Sequence, residues 1–360
     1  ILANSELKWE QSKTYDAGLD LGLLNNRLTF LFDYYRRVTD NLLTSLALPQ
    51  STGFASTLTN LGSLENKGFE IEVNLRVLPN NSAFQWNLSF NASKVKNKIL
   101  KLPYNGVENN RIGGMYLWNA KKKTYTWQGG LQEGGKMGDL YAYKEVGVYS
   151  TDEEAASAPT DMIMTGVTDR TKFGGDVNWL DADGNDSIDD RDRVYVGNTY
   201  PTWTGGFSNT FSYKNLQLYV RMDYETGHTI YNDLLVEATY QTHGNNGIST
   251  LELKSWQKPG DKTDIPQYLW FDRNRRSISR GNSMFYEKGD YLAIREVTLS
   301  YSLPAKLLKR LKLSNIRFNA TANNLYYFTK YRGLNPENGD QDNGRYPVPR
   351  IFSFGANVGF

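Results

Sequence analysis

The residues DADGNDSIDDRD, positions 181–192, set oxygen-bearing side chains at alternate places in a short polar run. On the twelve-residue calcium-loop template, Asp181, Asp183, Asn185, the Ser187 carbonyl, Asp189 and Asp192 take the ligand positions, and Ile188 takes the apolar one. Hard oxygen donors at that spacing suit Ca²⁺. Two departures mark the loop: Asp186 stands where the template has glycine, and Asp192 where it has a bidentate glutamate. The chemistry expected of 181–192 is a calcium loop that stiffens a connecting segment, and the alternative reading is a solvated acidic turn.

Other chemistry is sparse. The chain has no cysteine, which excludes disulfides, thiolate metal sites and cysteine nucleophiles. Its two histidines, His228 and His243, have no paired-ligand pattern. Glu70 and Glu72 lie on one side of a strand pattern, whereas glycoside hydrolysis needs carboxylates opposed across a substrate. Neither a phosphate-cradling glycine loop nor a nucleophile elbow is visible, so no enzyme is expected. Trp118, Tyr125, Trp127, Trp179, Trp256 and Trp270 could stack on sugar rings or grip peptides, or could pack the loops that carry them. The basic run RNRRS at 273–277 reads as a solvated face or an anion contact. With Lys+Arg 41 against Asp+Glu 39, no charge imbalance argues for nucleic acid.

The elements that carry these residues read as strands. TYDAGLDLGLLNNRLTFLFDYY alternates apolar and polar residues on both sides of a turn at Asn25 and Asn26. The pattern returns in GFEIEVNLRVL, FQWNLSFNAS, the segment from Trp203 to Glu225, YLAIREVTLSYS, NIRFNATANNLYYF and IFSFGANVGF. Its parity changes between Ile294 and Val297, which predicts a β-bulge. About nine strands of roughly nine to twelve residues result, the length that crosses a bilayer with tilt. Turns after Leu23, Leu78 and Tyr213 are short, while the other connections run over 38–66, 96–201, 228–288 and 328–349. Alternating short turns and long loops, with Trp86, Tyr213, Tyr301 and Phe360 near one end and Tyr34, Tyr326, Tyr327 and Phe328 near the other, are the pattern of an outer-membrane barrel with two aromatic girdles. A soluble β-sandwich of lectin type, a surface glycan-binding protein without transport, is the competing reading. Two short helices are expected, one from the Thr151-to-Glu154 capping box and one after Pro304 in PAKLLKRLKL.

Nine strands with short turns inside would start outside, and an open sheet in lipid leaves unpaired backbone groups that each cost several kcal/mol. Companion strands are therefore expected to close the sheet. The runs ELKWEQSKTYDAGLDLGLLNNRLTFLFDYYRRVTDNLL, LENKGFEIEVNLRV, LDADGNDSIDDRDRVYVGNTYPTWTGGFSNTFSYKNLQLYV, YLAIREVTLSYSLPAKLLKRLKLSNIRFNATANNLYYFTKYRGLNPE and YPVPRIFSFGANVGF resemble, in order, the SusC/RagA family of TonB-dependent outer-membrane transporters. The resemblance implies that residues 1–360 are the C-terminal part of an antiparallel barrel of about twenty-two strands, with the plug domain, the TonB-interacting segment and the remaining barrel lying before Ile1. It also implies a bacterial outer-membrane location, a SusD-like surface lipoprotein as partner, the TonB complex as energy source, and oligosaccharide or peptide as substrate. Phe360 resembles the terminal aromatic signal for barrel assembly.

Overall fold

A computed structural model of the chain describes residues 3–48, 50–164, 166, 168–239, 250–269, 281–337 and 339–360. Nine strands form one antiparallel sheet in which every neighbour in space is the neighbour in sequence: β1 (Gln11–Leu23), β2 (Leu28–Ala47), β3 (Ser56–Arg76), β4 (Phe84–Lys101), β5 (Trp203–Tyr213), β6 (Leu216–Thr226), β7 (Tyr291–Ser302), β8 (Asn315–Thr329) and β9 (Ile351–Gly359). The meander follows from the alternation and from turn chemistry. Leu24, Asn25 and Asn26 all take positive φ between β1 and β2, a conformation asparagine tolerates better than most residues.

The register aligns the apolar residues into rows across the sheet. One row runs Phe30, Val73, Phe90, Phe207, Met222, Ile294 and Tyr326. A lower one runs Phe84, Tyr213, Leu216, Tyr301, Phe318 and Ala356. Phe352, Phe354, Tyr326 and Phe328 on this face are all exposed. Among the described residues no second sheet covers the face, as a sandwich would require, so its natural solvent is lipid. Asn209 interrupts the face, and the Trp86 indole N–H donates to its Oδ1 at 2.9 Å, which gives the side-chain carbonyl a partner without water.

The opposite face is polar. Ser300 donates to Asn319 at 2.8 Å, the Thr298 and Thr321 hydroxyls meet at 2.9 Å, and Arg317 donates to Gln217 at 2.6 Å. The expected bulge is present: against β6, pairing slips between Ile294 and Glu296 and leaves Arg295 as the extra residue of β7, while on the β8 side Asn324 and Leu325 together stand opposite it. Its guanidinium is aimed inward, donating to Asp223 at 2.6 Å and the Tyr327 hydroxyl at 2.8 Å, and it also pairs with Glu337. Tyr327 thus belongs to the inner face rather than to the outer girdle, because alternation places only Tyr326 and Phe328 outside.

Strand lengths correct the sequence expectation. β2 has 20 residues and β3 has 21, and their pairing continues to Ala47 opposite Ser56, so the long loop expected over 38–66 is mostly strand. Only about 9–11 residues are needed within the bilayer; the remainder projects outward as a water-exposed hairpin, bent by register shifts near Leu42. The other long connections are 102–202, 227–290 and 330–350, all at the same end of the sheet. At the opposite end a short helix, α1 (Ala305–Leu311), starts after Pro304 and ends on left-handed Lys312. The Thr151 helix is also formed, its hydroxyl accepting from the Glu154 amide, over Asp152–Ala155.

Candidate functional site

The long connection between β4 and β5 is a folded unit of its own. Tyr143, Val177, Trp179 and Ile188 form a buried cluster, with Ile163 packed against it. Small ladders frame it: Asp139–Tyr143 pairs with Arg193–Asn198, Glu145–Val148 with Val177–Trp179, and Thr160–Asp161 with Ser187–Ile188. Beneath lies an ion pair of Asp161 and Lys172 at 2.8 Å, both side chains buried. Such a pair adds little net stability, yet removing one partner strands the other charge.

The neighbouring connection, 227–290, is tied on through Asn282, which is fully buried. Its amide donates to Glu145 Oε2 at 2.7 Å, while the Tyr143 amide donates to the Gly281 carbonyl at 2.9 Å. Burial raises the Glu145 carboxyl to about 7; the Asn282 hydrogen bond opposes this and the Asp264 charge adds to it.

Upon this base the hairpin Met115–Asn119 and Thr124–Gln128 presents two faces. Leu117 is fully buried on one. Tyr116, Trp118, Tyr125 and Trp127 line the other: the Tyr116 ring lies 5.7 Å from Tyr125 and 5.5 Å from Trp127, and Trp118 meets Tyr125 edge-on at 5.3 Å. Arg111 stacks on Trp127 with its guanidinium carbon 3.7 Å from the ring centroid. A cleft of about 670 Å³ opens beside this ladder, where Tyr116, Tyr125 and Trp127 meet Gln128, Glu108 and Asp139. Flat apolar faces beside amide and carboxylate edges suit a ring-shaped or extended polar ligand.

The acidic loop abuts the same ladder, since the Tyr125 hydroxyl donates to Asp183. That bond, then burial, raises the tyrosine's pKa. Of the six residues expected as ligands, the fold gathers three: carboxylate oxygens of Asp181, Asp183 and Asp192 lie within 4.8 Å of one another. Asp186 adopts φ 58°, the positive value the template requires at its place. Asp181 accepts the Gly184 and Asp186 amides, both at 2.8 Å, and Asp192 accepts those of Ala182 at 2.9 Å and Asp189 at 2.7 Å. Burial raises Asp192 to about 6; the two amide bonds oppose the rise and the charges of Asp183 and Asp189 add to it. Three converging carboxylates, one of them buried, form a donor set that fits a hard divalent cation. The remaining residues are engaged elsewhere. Asn185 accepts from the Ser187 amide at 2.9 Å, Ser187 runs in the ladder with Thr160, and Asp189 is held by the Arg191 guanidinium.

Several residues read as candidate ligand contacts have structural roles. Trp179 is core, and Trp256 packs on Gly175 with its indole N–H donating to the Ser150 carbonyl at 3.0 Å. His228, which had no ligand pattern in the sequence, is not a surface residue but is buried, and its ring meets the Pro336 carbonyl at 3.1 Å. Trp270, His243 and the run at 273–277 lie outside the described residues. Tyr116, central to the ladder, escaped the sequence reading, although its alternation with Trp118 opposite Tyr125 and Trp127 carries the signal.

Residues 1–163 match the family model described as TonB dependent receptor-like, beta-barrel. The chain is 31% identical over 396 residues to TonB-dependent receptor P39 of Formosa agariphila, spanning 100% of this chain and 36% of that protein. It is 33% identical over 372 residues to TonB-dependent receptor P3 of the same organism, with 99% and 35% spanned. Against TonB-dependent receptor SusC of Bacteroides thetaiotaomicron the identity is 28%, with 99% and 32% spanned. Among solved structures, the RagAB peptide transporter superposes with a TM-score of 0.74 at 23% identity, over 99% of this chain and 36% of that one. The chain thus spans roughly a third of the length of the curated relatives it matches.

Proposed function

The chain belongs to the TonB-dependent receptor β-barrel family of the bacterial outer membrane, and from that premise we propose that it supplies wall strands and external loops to a nutrient importer. In this reading the loops capture an oligosaccharide or peptide together with a SusD-like surface lipoprotein. Passage through the lumen follows when a plug domain, carried elsewhere in the protein, is displaced by energy delivered through TonB. The carrying observation is the aromatic ladder of Tyr116, Tyr125 and Trp127 beside a polar cleft, built on the sheet end where all three long connections emerge. Outer-membrane barrels place their long loops outside the cell and their short turns in the periplasm, so the cleft is external. The chain's part is binding and conduction, and no bond is made or broken by it.

Calcium belongs to the same proposal. Asp181, Asp183 and Asp192 would hold the ion, with Asn185, Ser187 and Asp189 completing the shell after Asp189 leaves Arg191. Bound there, Ca²⁺ would neutralise the gathered carboxylates and stiffen the loop that supports Tyr125. In the full-length protein, calcium is expected to slow proteolysis of the 181–192 loop, and Asp181→Asn with Asp183→Asn to abolish the difference. Equal cleavage with calcium and with chelator in the unaltered protein removes the ion from the scheme.

The import reading is tested with cells carrying the full-length protein. Uptake of fluorescent oligosaccharides and of fluorescent peptides is measured with and without TonB, and with Tyr116→Ala plus Trp127→Ala. TonB-dependent uptake of one class, reduced at least 10-fold by the double substitution, is the expected result. Uptake of neither class, or uptake indifferent to TonB, contradicts it.

A further inference from the structure

The lipid-facing side carries a feature that transport does not use. Just above the outer aromatic row of Tyr34, Phe69 and Trp203, the register places Arg36, Lys67 and Lys96 side by side on β2, β3 and β4. Lys94 is level with Phe69 and Trp203, its ammonium 4.8 Å from the Trp203 ring centroid. Lys98 follows one step farther out, opposite Glu65. All share strand parity with Phe30, Phe69 and Phe90, so they project from the outer wall and not into the lumen.

Charge on this patch is not balanced. Glu65 is the carboxylate among them, taking Arg36 Nε at 2.6 Å and Lys67 Nζ at 3.7 Å. Lys94, Lys96 and Lys98 make no ion pair among the described residues. Between the rows lies a groove of about 200 Å³ lined by Tyr34, Lys67, Gly68, Phe69, Lys94 and Lys96.

We infer that this groove binds an outer-leaflet lipid whose sugar headgroup carries phosphate. Aromatic rings mark the headgroup level of a barrel, with acyl chains below them. Lysines just above that level have aliphatic stems long enough to cover the rings while the ammonium groups meet anionic oxygens. A transported solute would approach through the lumen, on the other side of the sheet. The inference rests on the outer-membrane setting and on the outward direction of the long loops; it is independent of what is imported.

The test uses the full-length protein purified in dodecyl maltoside and titrated with diphosphoryl lipid A under native mass spectrometry. Unaltered protein is expected to hold the lipid, and Lys67→Gln, Lys94→Gln, Lys96→Gln to bind it roughly 100-fold more weakly, each lost charge contributing a few-fold. Lys306→Gln with Lys309→Gln on α1, at the other end of the sheet, is expected to leave binding unchanged. Heat-modifiable gel mobility verifies that each variant remains a folded barrel. Equal binding by the triple variant overturns the proposal. So does displacement of the lipid by millimolar inorganic phosphate, which would make this a soluble-anion site. A change in protein copies per particle with no change in bound lipid would also overturn it, in favour of a protein interface.

Discussion

The sheet and the external unit of residues 102–202 are made from similar residues under opposite rules. In the sheet, large apolar side chains such as Phe352, at 64% exposure, and Phe354, at 84%, sit on an uncovered face. In the external unit, Val177, Leu117 and Trp179 are almost wholly buried, at 0%, 0% and 3%. The difference is the solvent. A lipid-facing strand satisfies every backbone group within the ladder and leaves its apolar side chains to acyl chains. A water-facing loop long enough to enclose residues builds its own core and carries its own buried ion pair. The two regions should therefore fail separately.

The largest separation is expected from Trp179→Ala. Emptying that site costs about 3–5 kcal/mol in the loop core, so limited proteolysis should cut within 139–198 while heat-modifiable gel mobility of the barrel is unchanged. Loss of the barrel in this variant would merge the two regions into one cooperative unit. The converse is Phe207→Arg, which places a charge on the lipid face at a cost of about 2–4 kcal/mol near the bilayer midplane. Barrel assembly should fall in that variant, and a soluble core wrongly taken for a lipid face would instead show misfolding relieved without detergent.

A finer test uses Glu145, whose folded carboxyl titrates at about 7 against an ordinary 4.5. Between those values the folded state binds the extra proton, so stability at this contact falls as pH rises from about 4.5 through 7 and is level above. The full swing is roughly 3 kcal/mol at most. Hydrogen exchange of the Tyr143 amide, bonded to the Gly281 carbonyl, should quicken beyond its intrinsic pH dependence across that window. Glu145→Gln should flatten the response, and an unchanged response would assign it to another group. The smallest effect belongs to Thr151→Ala, which removes the hydroxyl that accepts the Glu154 amide and costs about 1 kcal/mol. Exchange should rise over 152–156 only, and a rise extending into β4 or β5 would show the regions to be coupled.

How far each region could be read from sequence follows the same division. The period-two pattern identified the wall strands and the bulge at Arg295, because lipid on one side and lumen on the other hold the two faces chemically apart. That contrast ends where β2 and β3 leave the bilayer. Thr39, Asp40 and Asn41 meet water on both faces there, so pairing that continues to Ala47 looked like loop. Tyr326, Tyr327 and Phe328 illustrate a local limit: three aromatics in a row disguise an alternation that sends the middle one to Arg295. In the external unit, composition alone could not separate the core residue Trp179 from Trp127 on the cleft, since both are tryptophans in a long connection. For the acidic loop, template spacing singled out six residues, of which the fold brings Asp181, Asp183 and Asp192 together; it took no account of Arg191, whose guanidinium holds Asp189.

The claim that this sheet is one wall of a lipid-embedded barrel is tested most directly by spin labels placed singly along β5. The chain's lack of cysteine makes such labelling simple within it. With the full-length protein in a bilayer, accessibility to oxygen, which concentrates in lipid, is expected to peak at 207 and 211. Accessibility to a water-soluble nickel chelate is expected at 208, 210 and 212. Reversed parity, or a flat profile along the strand, would contradict the lipid-facing assignment and with it the placement of the cleft outside the cell.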